Sequence, residues 1–222
     1  MAATGRILVV CTGNVCRSPF VERALQRELD ASWGPGAVSV ESAGTGALVG
    51  QPVHPPVRVL MEEHGYAADD FTARAVTAPM VADADLVLVA AREHLRPVLA
   101  LRPAALRRTF TFRELARLVR DLPAGGGGGA GAGGAGAGAG GESDGAVDGA
   151  GADAHLRQVA ALALGRRGRS HATDHDGDDL VDPYGRKDKV AGQLAEQVLA
   201  DLPAVAAALG RPSSPSSPGA PA

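Results

Sequence analysis

The sequence predicts an α/β fold, a three-layer sandwich with a four-stranded parallel sheet. Two observations carry that reading. Short apolar runs alternate along the chain with segments of helical periodicity, the pattern of a parallel sheet covered on both faces. The 222 residues, 45% of them hydrophobic, suffice for one domain with a real core. Aromatic residues make up only 3%, so Ala, Val and Leu must build that core.

The first run, residues 6–10 (RILVV), reads as a buried strand between Gly5 and a CTGN turn. Residues 18–29 follow as a helix. Pro19 suits its first turn, and Phe20, Val21, Ala24, Leu25 and Leu29 recur at helical spacing. Residues 37–42 form the second strand, and 56–64 a helix that Gly65 ends. Residues 86–90 are the third strand and 95–101 a short helix. Residues 108–112 (RTFTF) are the fourth strand, running into a helix near 113–120. A short helix is expected over 155–164, and a long one over 189–209, kinked near Pro203.

Residues 5–123 and 153–210 then make a single domain. Residues 124–152 are almost entirely Gly and Ala and hold half of the chain's 30 glycines. Such a segment cannot repay its ordering entropy and reads as a disordered insert. The Pro- and Ser-rich tail, 211–222, reads the same way.

The formal net charge is −3 and no basic stripe is present, so nucleic acid is not an expected partner. No signal peptide and no run of 18 apolar residues is seen, so no membrane association is expected. Cys11 and Cys16 are too few and too close to staple a secreted fold, which points to the reducing cytoplasm.

The chemistry is concentrated in Cys11-Thr12-Gly13-Asn14-Val15-Cys16-Arg17-Ser18, between the first strand and the first helix. In open parallel sheets ligands sit at such a loop. Its N–H groups, from Thr12 through Cys16, are placed to cradle one phosphate beside the positive end of the helix. Arg17 adds a planar fork that holds two phosphate oxygens at once. Cationic and helix-N-terminal surroundings favour thiolate in general, and a thiolate attacks a bound phosphorus in line. Ser18 is placed to hydrogen-bond the Cys11 sulfur and ease its departure. Asn14 is placed to brace the loop with its amide.

The string CTGNVCRS after an apolar strand resembles the low-molecular-weight protein tyrosine phosphatase family, its bacterial branch in particular. Ser42-Ala43-Gly44-Thr45 and Asp182-Pro183-Tyr184 match two further motifs of that family. The resemblance implies a phosphocysteine intermediate on Cys11, phosphate binding by Arg17 and general acid–base work by Asp182. Phosphotyrosine needs such an acid, because its leaving oxygen has a pKa near 10. Tyr184 is implied as one wall of the substrate slot, with Gly185 where many members have a second aromatic. The Gly46-Ala47-Leu48-Val49-Gly50 segment resembles the branch acting on autophosphorylated tyrosine kinases of polysaccharide export, with Leu48 at the slot. The implied partner is a phosphotyrosine-containing protein, the protein being a monomer or weak dimer. The implied mechanism requires no metal or organic cofactor. Cys16 is open between packing under the loop and trapping an oxidised Cys11 as a disulfide.

Three other readings stand beside this one. An arginine phosphatase branch shares the fold and resembles this chain at Phe110-Thr111-Phe112 and Asp182-Pro183-Tyr184-Gly185, but has Thr where Val15 stands. Arsenate reductase shares the fold, yet its chemistry needs further cysteines and none follows Cys16. A phosphate-recognition module would bind phosphoproteins without turnover. The stretch 171–179 (HATDHDGDD) fails the spacing of a calcium loop and reads as a solvated loop.

Overall fold

A computed structural model describes residues 5–122, 151–167 and 175–212. Four parallel strands lie in the order β2-β1-β3-β4. They are β1 (Gly5–Cys11), β2 (Val38–Gly44), β3 (Leu86–Val89) and β4 (Thr109–Thr111). Helices α1 (Arg17–Trp33), α2 (Pro55–Glu63), α3 (Ala78–Asp83), α4 (Leu95–Leu101), α5 (Phe112–Val119), α6 (Ala152–Arg166) and α7 (Asp188–Leu209) cover it.

Strand β1 sits inside the sheet, with β2 on one side (Cys11 opposite Gly44) and β3 on the other (Val10 opposite Val89). Parallel strands covered on both faces are apolar along their buried length, and β1 obeys this from Ile7 to Cys11. Ile7 and Val9 pack into the larger core with α1, α2, α5, α6 and α7. Leu8 and Val10, pointing the other way, pack with Val81 of α3 and Val98 of α4. The three layers thus follow from the period of two in a single five-residue run.

Most elements fall where the sequence puts them, and three differences, at α3, α5 and α6, have physical causes. Helix α3 was not expected. Its signal is Thr77, whose hydroxyl accepts the Met80 N–H at 3.4 Å, with Pro79 in the first turn. Helix α5 starts at Phe112 because Thr111 and Glu114 form a reciprocal capping box, which shortens β4. Helix α7 continues as one element through Pro203, which lies on its exposed side. Helix α6 begins at Ala152, which is fully buried, so the chain joins the core one residue earlier than the expected insert boundary. The rest of that insert through residue 150, the tail from 213 and positions 171–174 lie outside the described residues.

Asp178 and Asp179 correct the reading of a wholly solvated loop. Asp178 is buried, with Oδ2 accepting from Arg117 Nη2 at 2.8 Å, and Asp179 pairs with Arg92 at 3.4 Å. These ties bring the chain before Asp182 down onto α5 and the end of β3. Leu180 N–H completes the seam by donating to the Ala90 carbonyl at 2.9 Å. No described helix is long and apolar enough to cross a membrane.

Candidate active site

The loop from Cys11 to Arg17 closes over the carboxyl end of β1 and delivers the chain into α1. Asn14 makes the turn, in the left-handed region at φ 56, which a short polar side chain tolerates better than most. Its fully buried amide is satisfied on all sides. Nδ2 donates to Ser18 Oγ at 2.9 Å and to Ser42 Oγ at 2.8 Å, while Oδ1 accepts the Arg74 N–H at 2.8 Å.

These bonds give the hydroxyls a direction. Ser18 Oγ accepts from Asn14, so its own proton is free for Cys11 Sγ, 3.0 Å away. The Asn14 backbone N–H also donates to Cys11 Sγ, at 3.3 Å. Negative charge on the sulfur therefore meets two donors before any ligand arrives. Ser42, in turn, donates to Glu22 Oε2. Burial pushes the Glu22 carboxyl above its ordinary value, and the Ser42 bond pulls it partly back.

The segment after β2 is laced along the loop. Thr45 N–H donates to the Cys11 carbonyl at 2.9 Å, Gly46 N–H to Thr12 at 3.0 Å and Leu48 N–H to Gly13 at 3.0 Å. Glycine is obligatory at position 44, since a Cβ there would collide with the Thr12 carbonyl oxygen. This explains in physical terms why Ser-Ala-Gly-Thr follows β2: Ser42 takes the Asn14 amide and Gly44 permits the approach that seats Leu48.

A cavity of about 250 Å³ opens over the loop. It is lined by Cys11, Thr12, Gly13, Val15, Cys16, Arg17, Gly46, Leu48, Asp182 and Tyr184. Arg17 is 3% exposed, yet its Nε has no hydrogen-bond partner among the described residues. Its Nη2 donates to Asp182 Oδ2 at 3.0 Å and to Thr12 Oγ1 at 3.3 Å, and its Nη1 lies 3.6 Å from Glu93 Oε1. Among the described residues no side chain caps the start of α1, and no acid sits in its first turn. A buried unpaired guanidinium N–H beside an uncapped helix start is a built anion site.

Every residue expected from the sequence except Asn14 and Ser18 lines this cavity, and those two stand directly behind Cys11. Asp178 and Asp179, the neighbouring acids, are held elsewhere by arginines. The Cys16 thiol is pushed up to about 12, first by burial and then by Cys11 and Asp182 beside it. Among the described residues, no group of three or more His, Cys, Asp or Glu side chains is arranged to hold a metal.

Sequence reasoning missed His94, Glu22 and His54. His94 is 1% exposed, with Nε2 3.0 Å from Thr12 Oγ1 and Nδ1 2.9 Å from the Ala91 carbonyl. Burial, followed by the charge of Arg17, pushes its imidazole below the ordinary value. None of the three belongs to a contiguous motif. The residues around them gave no signal that topology would bring them to one loop.

A cysteine, a buried arginine and a carboxylate lining one cavity are the set of groups that cysteine-dependent phosphate-ester chemistry requires. The sequence matches the family described as low molecular weight phosphotyrosine protein phosphatase over residues 6–121, and the chain belongs to that family. It is 40% identical over 106 residues to Etp of Escherichia coli K12, a low molecular weight protein-tyrosine-phosphatase, a match covering 48% of this chain and 68% of Etp. It is 38% identical over 97 residues to Wzb of the same organism, covering 44% of this chain and 62% of Wzb. The fold is shared with the tyrosine phosphatase Wzb from E. coli K30 (TM-score 0.59, 22% identity, 92% of this chain and 98% of that one). It is also shared with the YwlE arginine phosphatase of Geobacillus stearothermophilus (TM-score 0.56, 22% identity, 91% and 90%).

Proposed function

We propose that this protein hydrolyses phosphotyrosine in proteins through a phosphocysteine intermediate on Cys11. The observation that carries the reading is the convergence on one cavity of three groups: a sulfur with two donors, a buried arginine with an unpaired N–H, and a carboxylate. In the first step the Cys11 thiolate attacks phosphorus. The S–P bond forms, the P–O bond to the phenol breaks, and its electron pair goes to the phenolic oxygen, which takes a proton from the Asp182 carboxyl. In the second step Asp182 removes a proton from water. The water oxygen attacks phosphorus, and the S–P electron pair returns to sulfur, eased by the Ser18 hydroxyl.

In this scheme Arg17 and the N–H groups of Thr12, Gly13, Val15 and Cys16 hold the three non-bridging oxygens, while the Asn14 N–H stays on the sulfur. A phosphate on Arg17 competes with Asp182 for the same Nη2, so binding frees the carboxyl toward the leaving oxygen. Val15, Leu48 and Tyr184 form the slot for the ring. The apolar Val15 favours a phenyl group over the guanidinium of phosphoarginine, which needs hydrogen-bond partners. The partner is a phosphotyrosine-bearing protein. An autophosphorylated bacterial tyrosine kinase in the cytoplasm is the partner that the segment 46–50 suggests.

The test is phosphate release from a phosphotyrosyl peptide by reduced wild-type and Cys11→Ser protein. Release by the wild type alone is expected. A wild type that is silent on this peptide but releases phosphate from phosphoarginine overturns the tyrosine assignment. Binding of the peptide without release from either substrate overturns the enzyme.

A further inference from the structure

Tyr184, on which a substrate ring would rest, is 52% exposed and is followed by Gly185 at φ 69. Its backbone N–H donates to Asp182 Oδ1 at 3.2 Å. Its ring meets one other ring among the described residues, that of His54, with centroids 5.4 Å apart and planes tilted by 59°. That is a favourable geometry for two aromatic rings.

His54 is itself held on two sides. Its backbone N–H donates to the Val15 carbonyl at 2.8 Å, and its own carbonyl accepts the N–H groups of Val57 and Arg58, each at 2.9 Å. It thus joins the phosphate loop to the first turn of α2, and Pro55 fixes the chain direction immediately after it. Its Nδ1 is buried and has no hydrogen-bond partner among the described residues. That nitrogen therefore does not anchor the ring. The backbone that carries the ring is fixed, and what the ring offers its neighbour is an aromatic face.

We infer that His54 is a positioning residue for the aryl-binding wall. It presents its ring from the rigid junction of loop and helix, and so holds Tyr184 opposite Val15 and Leu48. The inference rests on the phosphatase reading and adds a determinant of selectivity to it: the substrate ring is gripped through His54, whereas the phosphate is not. An aromatic pair of this kind is worth roughly a 3- to 10-fold change in binding. The loss falls on ligands that carry a ring and spares inorganic phosphate.

The experiment measures dissociation constants of phenylphosphonate and inorganic phosphate by calorimetry for wild type, His54→Ala and His54→Phe, with KM and kcat for a phosphotyrosyl peptide beside them. His54→Ala is expected to weaken phenylphosphonate and raise KM by about 3- to 10-fold, with phosphate binding unchanged and kcat nearly so. His54→Phe is expected to restore both. Equal weakening of phosphate and phenylphosphonate shows a general structural role and overturns the inference, as do unchanged constants in His54→Ala or failure of His54→Phe to restore them. A wild type without turnover defeats the phosphatase reading alone, because the two binding constants still decide the role of His54.

Discussion

Asn14, Arg17 and Ser18 are 0%, 3% and 0% exposed, whereas the Asp182 side chain is 42% exposed and Tyr184 52%. The first region is one contiguous string between a strand and a helix, and each of its polar side chains is tied to a neighbour behind it. The second comes from a distant part of the chain and rests on an arginine that a ligand would claim and a single ring contact. The difference separates two tasks. A phosphate site must be rigid, since its donors gain by facing charge without reorganising. The acid and the ring wall must yield to admit a substrate and release a product.

Substitutions in the two regions should therefore fail differently. Asp182→Asn should lower kcat on phosphotyrosyl peptide by roughly 10²- to 10⁴-fold. The loss should shrink on an aryl phosphate whose phenol leaves without a proton, and stability should hardly change. A comparable loss on both esters would move the acid elsewhere. Asn14→Ala acts on the rigid side: it strands the Arg74 N–H and releases both serine hydroxyls. Urea denaturation should show about 1–3 kcal/mol of lost stability, accompanied by lower activity. Unchanged stability would mean that the loop does not depend on this amide.

Gly44→Ala should push the Thr12 carbonyl away and weaken phosphate binding several-fold, in contrast to Gly50→Ala, whose added methyl meets open space at a φ of 83. Equal phosphate affinity in the two variants would refute the role given to that close approach. The smallest effect belongs to a residue far from both regions. Burial lowers the His155 imidazole below its ordinary 6.5, although its Nε2–H donates to the Ala208 carbonyl at 3.0 Å. On acidification the unfolded chain takes the proton first, so this contribution is complete above about pH 6.5 and is lost as pH falls toward the folded value. The melting temperature should drop less between pH 7.5 and 5.5 in His155→Gln than in wild type. A steeper drop in the variant would reverse the sign.

The sequence made the sheet legible because β1 and β3 hold apolar runs with sharp boundaries and β2 sets Val38 and Val40 at alternate positions, and the phosphate loop legible because its chemistry lies within eight consecutive residues. Asp182 and Tyr184 were legible only through resemblance, since an Asp before Pro is as common in a plain turn. His94, Glu22 and His54 were not legible. Each acts through one partner brought to it by the crossing order β2-β1-β3-β4 and by the helices that follow, and nothing in its own neighbourhood encodes that partner. Helix α3 was missed for a local reason: with six residues it is too short to show an apolar stripe, and only its Thr77 cap marks it.

The central claim is that phosphate passes through the sulfur of Cys11. Acid quench of wild-type protein during turnover of a phosphotyrosyl peptide, followed by mass spectrometry of the peptide holding Cys11, tests it directly. The account predicts a phosphoryl group on Cys11 that is absent from Cys11→Ser protein, and that accumulates further in Asp182→Ala only when the substrate is an aryl phosphate whose phenol leaves without a proton, since that variant lacks the base of the second step. Steady phosphate release by Cys11→Ser, or a phosphoryl group trapped on any other residue of the wild type, would contradict it.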